Sequence, residues 1–190
     1  MHLLTLLPLA LLPLASARCT KSENTSFVLT TFNTTTSSPC VSAPSLNDTL
    51  ITISPYSSPG GILGIFPAIP PGSNSVLPHF EGDKLYRWNG GTKEIGFLET
   101  RKQGKVVKFV PESELPEGAV IGKAEIGCDG IGRHFLILDG KNGWAFCKPA
   151  KKDGAGYLLV QDPTEKCRNR VDVKWIWIDY VQPATGPTLA

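Results

Sequence analysis

Residues 171–181 read VDVKWIWIDYV. In an extended chain the odd positions place Val171, Val173, Trp175, Trp177, Asp179 and Val181 on one face, and Asp172, Lys174, Ile176, Ile178 and Tyr180 on the other. The segment is half-buried at its start and apolar on both faces from Trp175 to Ile178. That pattern predicts a central strand with a partner on each side.

Upstream the same texture repeats. HFLIL at 134–138 and WAFC at 144–147 flank the turn sequence DGKNG, the strongest hairpin signal in the chain. KLYRW at 84–88, the turn Asn89-Gly90-Gly91, a strand over 94–100, the turn Lys102-Gln103-Gly104 and a strand over 105–110 predict a meander. Residues 119–127 are apolar and glycine-flanked, and residues 156–161 make a further strand. Pro111–Gly118, with three Glu and two Pro, reads as an exposed loop. Further back, 26–33, 49–54 and 62–66 also read as strands. The total is about eleven short strands and no helix, which predicts an all-β domain, a sandwich or barrel stapled by disulfides. A β-trefoil fits the length, although no threefold repeat is visible. One Met, 16 Pro and 19 Gly in 190 residues favour this class over long helices.

The chain divides by composition near residue 80. Arg18 to Phe80 holds four charged residues (Arg18, Lys21, Glu23, Asp48) against 20 Ser or Thr, and residues 81–190 hold 32. The strand-like stretches in the first part argue against a plain Ser/Thr/Pro stalk. We therefore expect a single all-β domain over 18–182, with a Ser/Thr/Pro-rich, glycosylated part (18–80), a charged, strand-rich part (81–182) and a disordered tail (183–190). Net charge is +2, without a basic tract, so no electrostatic footprint for nucleic acid or anionic lipid is present.

Residues 1–17 read as a signal peptide: an apolar run ending in Ala15-Ser16-Ala17, with cleavage expected after Ala17. The run is too short to span a bilayer and carries Pro8 and Pro13, and no other stretch approaches spanning length. Secretion gives meaning to three N-glycosylation sequons, at Asn24, Asn33 and Asn47. It also favours disulfides over metal sites among Cys19, Cys40, Cys128, Cys147 and Cys167. Proximity suggests Cys19–Cys40 and Cys147–Cys167, each closing a loop of about 20 residues worth ~3 kcal/mol, although spacing does not decide connectivity. Cys128 is then the odd cysteine, buried and free or paired between chains.

Catalytic signals are sparse. His79 and His134 have no metal-ligand spacing, and neither a metal site nor a cofactor is expected. No G-x-S-x-G elbow is present. Cys128 beside His134 is better read as a structural cysteine than as a nucleophile, and the glycines of 127–132 as a loop. Asp129 and Asp139 could form a carboxylate pair, but Asp before Gly is ordinary turn chemistry. The aromatic residues offer the better binding hypothesis. Trp175 and Trp177 point the same way and, with Trp144, would make a platform for sugar rings if exposed; burial in the core is the competing reading.

Residues 81–86 (EGDKLY), Leu138–Lys141 leading into WAFCKP at 144–149, Gly156-Tyr157-Leu158 and Cys167 together resemble motifs of the secreted fungal phialide-associated cell-wall proteins. The resemblance spans about 100 residues after Phe80, and Lys148 separates Cys147 from Pro149 where that family has Cys-Pro. It implies a non-enzymatic extracellular or wall protein, with Cys147 and Cys167 as counterparts of the family's late cysteines. The expected function is therefore a secreted protein acting through binding or structure, with wall polysaccharide or wall proteins as partners. A carbohydrate-binding or effector-like module using exposed Trp is the second reading, and a small hydrolase using Asp129, His134 or Asp139 the third.

Overall fold

The computed structural model of the chain describes residues 20–36, 46–54, 60–65, 77–148 and 156–183. The expected signal peptide (residues 1–17), Cys19, Cys40 and residues 184–190 lie outside them. Among the described residues there are twelve β-strands, one 3-10 turn at Glu112–Glu114 and no α-helix. The strands are β1 (Thr25–Thr36), β2 (Leu50–Ser54), β3 (Gly61–Ile65), β4 (His79–Glu81), β5 (Lys84–Asn89), β6 (Thr92–Arg101), β7 (Gly104–Pro111), β8 (Ala124–Cys128), β9 (His134–Leu138), β10 (Trp144–Cys147), β11 (Tyr157–Gln161) and β12 (Val171–Pro183).

Seven of them close a barrel in the order β7–β3–β2–β1–β12–β10–β11 and back to β7. The closure uses a splayed junction: β3 pairs with β7 through Gly61 and Ile62, then with β11 through Gly64 and Ile65. Strands from both compositional halves share this barrel, so the uncharged first part is woven into the fold.

Alternation explains the burial. On β1, Phe27, Leu29 and Thr31 face inward opposite Tyr180, Ile178 and Ile176 of β12. They join a core with Leu63, Phe109, Phe146 and Leu159. Thr31 is the polar member; its hydroxyl donates to the Leu46 carbonyl and accepts from the Thr49 N–H at 3.1 Å, which satisfies it inside the barrel. A smaller cluster of Ile62, Val106, Leu158 and Val160 surrounds the Cys147–Cys167 disulfide, which closes a separation of 20 residues.

Two groups of strands are added to the barrel. The expected meander extends β7 through β6, β5 and β4, with the turn registers Asn89↔Thr92 and Arg101↔Gly104. It is anchored to the start of β1: Asn24 N–H donates to Phe80 O at 3.0 Å, and the Phe27 and Phe80 rings lie 4.7 Å apart. Inside it, Arg87 and Glu94 sit opposite each other as a fully buried ion pair, and Asn89 donates to the second Glu94 oxygen at 2.9 Å. Gly61 makes room for this pair, since a Cβ there would stand 2.6 Å from an Arg87 guanidinium nitrogen. The second addition is the β8–β9 hairpin, attached to β12 through Phe135↔Trp177.

Two expectations are corrected. The 134–147 segment is not a hairpin. β9 and β10 both run antiparallel to β12, one after the other along the same edge: Phe135 faces Trp177 and Trp144 faces Val173. The Asp139–Gly140 turn does form, with Leu138 and Lys141 exchanging both backbone bonds at 2.9 and 3.0 Å. It is held by the exposed Lys123 N–H donating to Asp139 Oδ1 at 2.7 Å and by the buried Gln161 Nε2 donating to Leu138 O at 2.8 Å. β12 is long enough, at Val171–Pro183, for its edge to take both strands in succession. Cys128 is also corrected: it is disulfide-bonded, so it is not the unpaired cysteine.

Candidate functional site

β12 is apolar on both faces because it separates the barrel interior from a second aromatic layer outside it. Trp175 and Trp177 lie on the face of β12 opposite Ile176 and Ile178 and meet Phe32 from β1 and Phe135 from β9, whereas Val171 and Val173, of the same parity, join the barrel core. The Phe32 and Trp175 rings stack 5.9 Å apart, Phe135 and Trp175 stack at 5.8 Å, and the two indoles are 5.4 Å apart. Phe135 fits because β8 opposes it with Gly127, where a Cβ would stand 2.2 Å from the Phe135 ring.

The layer is only partly covered. Phe32, Phe135 and Trp175 are half-buried, whereas Trp177 is 5% exposed. Two cations lie on the rings: Lys174 over Trp175 at 4.2 Å and Arg133 over Trp177 at 4.1 Å. Trp144 is not part of this face. It is 2% exposed and packs in the barrel core, so it forms no surface platform.

Beside Trp177 lies a groove of about 520 Å³, lined by Thr30, Asp48, Arg133, His134, Asp179 and Tyr180 among others. Each element delivers its residue for a local reason. Asp129 organises the β8–β9 turn: its carboxylate accepts from the Ile131 and Arg133 N–H groups at 3.1 and 2.8 Å and from the Arg133 Nε at 3.1 Å. Desolvation pushes the Asp129 carboxyl up, but these donors outweigh it and hold the pKa below the usual value. The turn throws Ile131 into solvent at 76% exposure and folds Arg133 back over Trp177. His134 meets the Tyr180 ring edge-on at 5.7 Å. Burial raises the Tyr180 phenol, against the Ser22 N–H that donates to it. Asp48 takes φ 55° in the Asn47–Asp48 turn, and Asp179 projects from β12 on the Trp177 side.

This arrangement suits a hydroxyl-rich ligand. Carboxylates, an imidazole and a guanidinium line the groove beside the half-buried Tyr180 and the nearly buried Trp177, a combination that orients polar ligands against an apolar wall. Asp129 and Asp139 do not converge. They stand beyond opposite ends of β9, about 15–20 Å apart along a strand of this rise, outside the ~5–9.5 Å used by glycosidase carboxylates. His79 lies far away in the meander, buried, with Nε2 3.0 Å from Glu81 Oε1. No three His, Cys, Asp or Glu gather into a metal site among the described residues, and no described helix is long and apolar enough to cross a membrane.

Sequence reasoning put Trp175 and Trp177 on one face of a strand, with burial in the core as the favoured reading, and missed Phe32, Asp48, Arg133 and Asp179. Only the Asp129 turn signature pointed toward the loop that carries Arg133. No family model matches the chain, and no curated protein or solved structure matches it either.

Proposed function

We propose that this is a non-enzymatic extracellular protein, of the fungal wall-associated kind its motifs resemble, which binds polysaccharide in the groove beside Trp177. The observation that carries this reading is the convergence of Asp48, Asp179, His134 and Arg133 on one groove beside Trp177 and Tyr180. A sugar chain can exchange its hydroxyl hydration for these groups while resting its C–H face against the Tyr180 side of the groove. The Cys147–Cys167 bridge is compatible with an oxidising compartment. The leader and the sequons support secretion.

The test is titration of the purified secreted chain with β-glucan, mannan and chitin oligosaccharides, read by tryptophan fluorescence and calorimetry. One class should bind, and Asp179→Asn and Arg133→Ala should each weaken it at least tenfold with the fold intact. Absence of binding to every class, or binding indifferent to both variants, rejects the groove. Cleavage of a bound oligosaccharide would instead support the hydrolase reading.

A further inference from the structure

The Asn47–Asp48–Thr49 sequon sits at the rim of this groove, and its geometry relates it to the aromatic layer. Asn47 is exposed. Its Oδ1 accepts from the Thr34 N–H at 2.8 Å and from Thr34 Oγ1 at 3.1 Å, which turns the carboxamide nitrogen away from those donors. Thr34 follows Phe32 by two residues on β1, so both side chains leave the same face, about 7 Å apart. That face carries the stacked Phe32–Trp175 pair, whose rings are only half-buried. Asn24 stands elsewhere, in the turn bonded to Phe80 at the opposite end of β1.

We propose that Asn47 carries an N-linked glycan whose first N-acetylglucosamine lies on the Phe32–Trp175 rings, so that the chain's own sugar covers the aromatic layer next to the groove. In the transfer step the Asn47 Nδ2 bonds to the anomeric carbon of a lipid-pyrophosphate-linked oligosaccharide. The C–O bond to pyrophosphate breaks, the lipid pyrophosphate leaves with the electron pair, and one amide proton passes to a base of the transferase. Lys174 over Trp175 and Arg133 over Phe32 cover part of the two rings, and a pyranose C–H face against the part they leave exposed removes further apolar surface from water. The proposal rests on the secreted reading but not on binding of an external polysaccharide.

Peptide mapping of the full secreted chain after enzymatic amide release should find Asn47 occupied. Three folded forms are then compared: fully glycosylated, trimmed to one sugar, and sugar-free. The first two should share melting temperature and iodide quenching, while the sugar-free form melts about 2–4 °C lower and is quenched more. In Phe32→Ala, or Phe32→Leu if the alanine variant does not fold, that gap should close. A bare Asn47, sugar removal that changes neither quantity, or a gap that persists in the Phe32 variants overturns the proposal. Polysaccharide binding by a chain bare at Asn47 would leave the groove reading standing alone.

Discussion

The guanidinium of Arg133 lies 4.1 Å from the Trp177 ring centre and 5.2 Å from that of Phe32. It covers the indole while remaining tied to Asp129. Arg133→Ala should therefore expose Trp177, red-shift its emission and raise its iodide quenching. The stability cost should be about 0.5–2 kcal/mol by urea denaturation, the range of cation–π contacts. Arg133→Lys keeps the charge but not the planar group, so it should recover only part of the shielding.

Gly127 and Phe135 form a steric pair, because a methyl group at 127 would fall 2.2 Å from the Phe135 ring. Gly127→Ala should destabilise the protein by about 1–3 kcal/mol. Adding Phe135→Leu should return part of that loss. Denaturation midpoints of the single and double variants measure the coupling.

The Arg87–Glu94 pair is buried on both sides, and Arg87 also lies 5.4 Å from the Phe109 ring centre. Removing one charge leaves the other stranded, so Glu94→Leu should cost about 3–5 kcal/mol. The double variant Arg87→Met with Glu94→Leu should cost much less. Equal losses in the single and double variants would show that packing, not charge, dominates.

Stability should fall at both ends of the pH scale. Burial tends to raise the Glu81 and Glu99 carboxyls, but the Lys93 and His79 partners of Glu81, and the Arg101 and Lys108 partners of Glu99, hold both below the ordinary 4.5. Their stabilisation is present above that value and is lost as pH drops through the depressed ones. Tyr86 behaves oppositely. Burial and its hydrogen bond to Glu112 push the phenol up to about 12 from 10.0, so its contribution holds below pH 10 and disappears as pH rises toward 12. Urea midpoints against pH should show both edges, and tyrosinate absorbance should reveal two late-titrating phenols, Tyr86 and Tyr180. Tyr86→Phe should remove the first of these from the titration and cost about 1 kcal/mol at neutral pH.

Replacing Cys147 and Cys167 by Ser should cost about 3 kcal/mol for a loop of this length. Non-reducing peptide mapping should recover Cys128 in a disulfide-linked peptide rather than as an alkylated thiol.

Much of the architecture is legible in short stretches of chain. Alternation in VDVKWIWIDYV announces a strand buried on two sides, and Asn89-Gly90-Gly91 and Lys102-Gln103-Gly104 announce the turns that form, because backbone sterics at such residues act over a few positions. The pairing of β12 with β1, the end-to-end seating of β9 and β10 along its other edge, and the bonding of Cys128 are not legible this way. Those choices compare burial between segments far apart in sequence, where a local turn signal such as Asp139-Gly140 can be satisfied without making a hairpin. The groove follows the same rule: each of Asp48, Arg133 and Asp179 is an ordinary surface residue until barrel closure brings three distant segments around Trp177. Sequence alone thus determined which residues are extended and how their side chains alternate. Only the tertiary structure decided which edges meet, because strand partners are selected by the apolar area that the whole barrel removes from water.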